Sequence, residues 1–241
     1  MSDQLNSAAQ TPQAEMSVIQ KIINVFVSPK QTFESIDRKP DWVIPFVIIL
    51  LVAIAFMILT MPVLGPIQME KQRAKMEERG MSDQQIEQAM SIADKPIMKI
   101  IGPVIGTITI IIIFLAISGI VMLVGNMSLG TKASFKKVFS AFTYTSLIGS
   151  LNQLLILPIM LNKNSAEVHF SLATFQSVDN ADTLMYQFLK KIDLFAIWQI
   201  AVLGIGLAII YRTTTKKSTT MVAGLYVVYM AISLVWFSIT N

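Results

Sequence analysis

The sequence predicts an all-α fold: a polytopic membrane protein built as a five-helix transmembrane bundle, with an outer helical hairpin and inner amphipathic helices. Three observations carry this. Five long apolar stretches, 43–64, 100–125, 138–161, 194–211 and 220–240, hold no Asp, Glu, Lys, Arg or His. About 20 helical residues cross a ~30 Å hydrocarbon core, and each stretch is within or close to that length. The composition is 54% hydrophobic and 14% charged, with a mean hydropathy of +0.61, which suits helices in lipid better than a water-soluble core. Basic residues gather at the ends of the apolar stretches, where membrane orientation places them.

The chain divides into a polar tail, 1–16, and a membrane domain, 17–241. The tail is rich in Gln, Ser, Asn and Ala and has no apolar core of a signal peptide, so it reads as disordered. The first spanning helix then serves as the insertion signal. Residues 17–45 read as two short helices on the inner face. Ser17 with Gln20 and Ser28 with Gln31 match a capping box, and Pro29 takes the first helical position. Ile19, Ile22, Ile23 and Phe26 recur at helical spacing with Lys21 on the polar side, and Phe33 and Trp42 extend this candidate membrane-interface set. Both a helix packed under the bundle and a lipid-sensing helix fit the pattern.

Residues 65–99 read as the outer hairpin. Its first arm is 67–79, Gly80 stops it, Ser82 with Gln85 caps the second arm, and Lys95-Pro96 closes it. Met69, Met76, Met81, Met90 and Met98 lie in or beside it. Their scattered spacing fits apolar filling better than a copper(I) site. The third span, 138–161, carries Thr143, Thr145, Ser146, Asn152, Gln153 and Pro158, so a broken segment is an alternative; it would leave four spans and an inside C-terminus. The loop 162–192 alternates as a short strand over 168–175, with His169 facing the surface, and Asp182 caps a helix that runs into the fourth span.

Loops set the orientation. Lys132, Lys136 and Lys137 in 126–137, and Arg212, Lys216 and Lys217 in 212–219, stand without any acid, which places both loops in the cytoplasm. The N-terminus is then cytoplasmic, in agreement with Lys21, Lys30, Arg38 and Lys39, and the C-terminus external. The outer loop 65–99 pulls the other way with six basic residues, although six acids accompany them.

Within the spans, small and polar residues are the candidates for contact. Gly102 with Gly106, and Gly204 with Ala208, offer close-approach faces; Asn126, Asn152, Gln153 and Gln199 offer polar contacts. Bundle glue is the favoured reading over a binding cavity, and on it Asn152→Leu lowers stability. No cysteine and a single histidine exclude disulfides, thiolate metal sites and a His-pair zinc site. The spans hold no Ser–His, Ser–Lys or Asp–Asp pair, and no phosphate-binding or hydrolase motif occurs. The expectation is a protein that is not an enzyme, uses no cofactor or metal and binds no nucleic acid, its net charge of +4 serving orientation.

Four segments together resemble the Yip (Ypt-interacting protein) family in its bacterial branch. They are Ser28-Pro29 with Phe33, Ile36, Pro40-Asp41-Trp42 and Pro45; Ser134-Phe135-Lys136-Lys137-Val138 continuing to Tyr144; Asp193 to Trp198 running into Gly204, Gly206, Leu207 and Ala208; and the basic turn from Arg212 to Lys217. The outer Gly80-Met81-Ser82 hairpin looks like inserts of bacterial members. The resemblance spans about 18–238 and implies a compact five-helix bundle with an inside N-terminus in the bacterial cytoplasmic membrane. It also implies an accessory protein sometimes associated with transporters. Eukaryotic relatives work with Rab GTPases, but the long cytosolic N-terminal region of those relatives is missing here. The functional expectation is an adaptor or assembly partner of other membrane proteins, or of a second copy. The rivals are a channel or transporter for a lipid or small neutral solute, and a membrane-shaping protein acting through the inner amphipathic segment.

Overall fold

The computed structural model describes residues 16–93, 95 and 97–240; residues 1–15 of the polar tail, Asp94, Pro96 and Asn241 lie outside them. In chain order the helices are α1 (Val18–Val27), α2 (Pro29–Arg38), α3 (Val43–Glu78), α4 (Asp83–Ala93), α5 (Met98–Ser128), α6 (Phe135–Lys163), α7 (Leu184–Lys191), α8 (Leu194–Ile210) and α9 (Thr215–Thr240). Four of them, α3, α5, α6 and α9, are long and apolar enough to cross a membrane. The protein is therefore an all-helical, multi-pass integral membrane protein. The expected fourth span, α8, is apolar but only 17 residues, about 26 Å at 1.5 Å per residue, and is not among those four.

The segment 138–161 is one continuous helix despite its polar residues and Pro158, so the broken alternative does not hold. Its N-terminal half, from Val138 through Ser150, is buried except along the partly exposed stripe of Phe142, Ser146 and Gly149, because α1, α2, α3, α5 and α8 all pack on it. Backbone groups in a helix are satisfied internally, and hydroxyls bond back to the preceding turn, as Ser140 does to Lys136 and Ser146 to Phe142. The large buried side chains cluster at one end of the bundle, where Val25, Phe33, Ile36, Val138, Tyr144, Ile148, Leu207 and Tyr211 meet.

Several expectations are corrected. The first hairpin arm is not a separate helix: α3 runs unbroken for 36 residues through Pro62 and Pro66, about 54 Å, and so projects beyond any ~30 Å core. It ends in a Schellman turn, with Gly80 at φ +73°, Gly80 N–H donating to Glu77 and Met81 N–H to Met76. Ser82 and Gln85 form the expected reciprocal cap before α4, which packs back on α3. Ser17 and Gln20 do the same for α1, whereas Ser28 makes no side-chain cap and leaves α2 to start on Pro29 alone.

No strand forms over 168–175. Leu172–Phe175 make a 3₁₀ turn after irregular backbone, and an isolated antiparallel bridge joins Ser171 to Asp193. Thr183, not Asp182, caps α7, and α7 stops before the fourth span. Asp193 then starts α8 anew, its carboxylate accepting from Ala196 N–H at 3.0 Å.

Candidate functional site

Three polar clusters lie along the bundle. The first ties the end that carries α1 and α2. Val18, Lys21, Ile22 and Val25 fall on the inward face of α1, which buries Lys21 rather than leaving it on a polar side. Its ammonium lies 3.0 Å from Asp41 Oδ2, just before α3. Asp41 Oδ1 and the Tyr144 hydroxyl on α6 are both buried, and the two groups are near enough to interact. Asp37, at the end of α2, receives Lys137 from α6 at 2.5 Å and faces Arg212, after α8, at 3.9 Å. Thr131 donates to the Tyr211 carbonyl at 2.7 Å, and Tyr211 reaches across to the Met122 carbonyl of α5. The N-terminal helices and the two acid-free basic loops therefore share one face of the bundle.

The second cluster is at the middle of α6. Thr145, Gly149 and Asn152 stack on one face at i, i+4 and i+7. Gln199 of α8 lies over Gly149, its Nε2 2.8 Å from where a Cβ would stand. Thr145 Oγ1 and Asn152 Oδ1 are buried and lack partners, as are Thr143 Oγ1 and Ser118 Oγ. This seam offers hydroxyls and amides but no charge, which suits water or a neutral polar group and not a bare ion.

The third cluster lies at the opposite end, in the connection between α6 and α8. Glu167 accepts from Lys190 at 2.7 Å and from the Tyr186 hydroxyl at 3.0 Å. His169 Nε2 lies 3.0 Å from the Tyr186 oxygen, and Ser171 Oγ lies 2.9 Å from Nδ1. With the Tyr186 proton on Glu167, the neutral ring assigned as donating from Nε2 to Tyr186 accepts Ser171 at Nδ1, and Thr174 Oγ1 stands 3.1 Å from the same nitrogen. Burial lowers the His169 pKa, and Lys190 lowers it further against the pull of Glu167. Burial works to raise Glu167, but Lys190 and Tyr186 hold its carboxyl below the ordinary value. Burial and then Glu167 push Tyr186 up to about 12. His169 is thus a half-buried hub, not a surface side chain. Its network bounds a cavity of about 640 Å³ with Ile159, Lys163, Leu172, Phe175 and Ile197.

Four long apolar helices, an α1–α2 platform under them and a family model described as the Yip1 domain, matching residues 23–237, converge on one family. The chain belongs to the Yip1 domain family. No curated protein and no solved structure matches it.

Within this Yip1 domain the expected contact residues divide. Gly204 sits so close to Thr219 of α9 that its Cβ would fall 2.8 Å from the Thr219 Cα, and its carbonyl takes the Ser218 hydroxyl at 2.6 Å. Ala208 is buried on the same helix. Gly106 lies against Met57, but Gly102 faces open space. Asn126 does not bridge helices; it clasps the following loop through both backbone groups of Ala133. Gln153 is half-exposed, one residue off the seam formed by Asn152 and Gln199.

In the interface set, Ile19 is 71% exposed, while Ile22 and Phe26 pack into the core, Phe26 edge-on to Trp198. Phe33 is wholly buried against Gly206, and Trp42 stands edge-on to Phe139. These last contacts correct the reading of Phe26 and Phe33 as membrane-facing. Asp37, Asp41 and the His169 network were missed. The placement of Lys21 within the Val18–Val25 stripe was the available signal for the first pair. Nothing local marks the second network, which joins residues up to 23 positions apart.

Proposed function

We propose that this Yip1-domain protein is a non-enzymatic adaptor or assembly partner of other membrane proteins. Its basic face and N-terminus lie in the cytoplasm, α8 makes the fifth crossing, and the resemblance to bacterial members favours the bacterial cytoplasmic membrane. The observation that carries the adaptor reading is α9. Only 6% of its most apolar window is buried, and Gly224, Ala231 and Ser238 are exposed at i, i+7 and i+14. A Cβ at Gly224 would meet nothing within 4 Å. Without a water-driven force, helices associate in lipid through such close-approach faces, so α9 offers one to a helix of another protein.

The test is purification of the tagged protein from its native membrane in mild detergent. A stoichiometric membrane partner that is lost in Gly224→Leu/Ala231→Leu, with an unchanged melting temperature, supports the adaptor. A protein that arrives alone from native membranes sinks it. The second reading, passage of a small neutral solute, rests on the uncharged seam of Thr145, Asn152 and Gln199. It predicts liposome flux that disappears in Gln199→Leu.

A further inference from the structure

The connection between α6 and α8 exposes more apolar surface than a water-facing loop tolerates. Phe175 is 88% exposed and Val178 56%. In α7, Leu184 and Met185 are exposed as well, beside Leu234, Val235 and Ile239 of α9. A phenyl ring left open to water forfeits roughly 2 kcal/mol relative to burial, so this collar belongs at a bilayer surface. α8 explains how it reaches that depth. At about 26 Å, α8 is a few ångströms shorter than the hydrocarbon core, and α9 continues past it with α7 packed alongside.

The cavity beneath this collar opens on the same wall. Leu194 is 62% and Ile197 54% exposed on α8, so its mouth is continuous with the lipid-facing side of the bundle. The cavity is held open by structure already made. Leu172 N–H donates to Ile192, Leu194 N–H to Phe170, and the Tyr226 hydroxyl of α9 to the Lys191 carbonyl at 2.6 Å. Its polar wall is internally matched, since Glu167, His169, Tyr186 and Lys190 satisfy one another. Lys163, at the end of α6, lines the rim and has no ion-pair partner among the described residues.

We propose that this cavity binds a phospholipid of the surrounding leaflet, one acyl chain lying among Ile159, Leu172, Phe175 and Ile197 and the phosphate at Lys163. The inference is independent of the adaptor reading. An apolar slot fits the chain, and a lone cation at interfacial height fits the phosphate.

The test uses the full-length protein in nanodiscs doped with phosphatidylglycerol carrying a diazirine on one acyl chain, the labelled residues being mapped by mass spectrometry. Labelling concentrated at 172–178 and 194–197, several-fold above that of the exposed face of α9, is the expected result. Ile197→Trp, which fills the slot, cuts it at least fivefold; Leu172→Trp serves the same purpose if that variant fails to fold. Lys163→Gln weakens labelling, and Lys163→Arg retains it. Labelling that spreads evenly over the lipid-facing helices, or that Ile197→Trp and Leu172→Trp leave unchanged, overturns the proposal.

Discussion

α6 and α9 both traverse the bundle, yet they are built in opposite ways. α6 carries Thr143, Tyr144, Thr145, Ser150 and Asn152 along its course and is buried over a third of its most apolar window; α9 is buried over 6% of its own. A soluble protein would put the more apolar helix inside. In lipid, apolar surface gains nothing by leaving the acyl chains, so the interior is chosen by small size, hydrogen bonding and fit. α6 is the hub because other helices reach close to it: Gln199 settles on Gly149, and Phe139 carries the rings of Trp42 and Phe46. α9 packs on α8 near its start through Ser218, Thr219 and Val222 and meets α7 through Tyr226 further on, but leaves its outer face, Gly224, Ala231 and Ser238 included, to lipid or a partner.

The largest effect is expected at the ion pair that ties α1 to the start of α3, beside the buried end of α6. Asp41→Ala leaves the Lys21 ammonium buried and unpaired, and is expected to cost about 3–5 kcal/mol, read as a lower melting temperature in detergent. Adding Lys21→Met recovers most of that loss; no recovery would mean that Asp41 acts through Tyr144 instead. Gly149→Leu follows. It drives a side chain into Gln199 and should cost about 1–3 kcal/mol, whereas Gly224→Leu on α9 should stay within about 0.5 kcal/mol. Equal losses at the two glycines would erase the distinction between the helices.

The connection before α8 gives a smaller, pH-dependent effect. The folded pKa of His169 lies below its ordinary 6.5, so the unfolded segment binds protons more readily. Stability from neutral His169 is present above pH 6.5 and declines as pH falls toward the folded value. Glu167, lowered from 4.5, adds a second loss below that pH. Amide protection factors in 165–193, taken relative to the intrinsic exchange rate at each pH, should therefore fall from pH 7 to 5, and His169→Gln should flatten the upper part of the profile while leaving α9 unaffected. The smallest effect is expected at Asn152. Its buried Oδ1 has no partner, so Asn152→Leu should leave stability unchanged or raise it by up to about 1 kcal/mol. That reverses the expectation from sequence, in which the amide held helices together; a clear loss of stability would restore it.

How much was legible follows from the range of each interaction. The apolar stretches, the two reciprocal caps and the Gly80 stop involve neighbours a few residues apart, and all appear in the structure. The 168–175 alternation misled because one antiparallel partner, Asp193, gives a single bridge and no ladder. The separate arm over 67–79 did not form because α3 continues through Gly65 and Pro66, and prolines are tolerated in long membrane helices. At the candidate sites, small residues could be found but not assigned. Gly102 and Gly106 share one motif, yet only Gly106 meets another helix.

Hydropathy and charge placement in the chain established a multi-pass helical membrane protein, since both depend on composition over one helix length. Which helix lies inside, that Lys21 is buried on Asp41, that Asp37 gathers both basic loops, and that His169 is locked against Tyr186 were decided only by the packed bundle. Those contacts join residues 17 to 175 positions apart, and no local pattern encodes which partner such residues will meet.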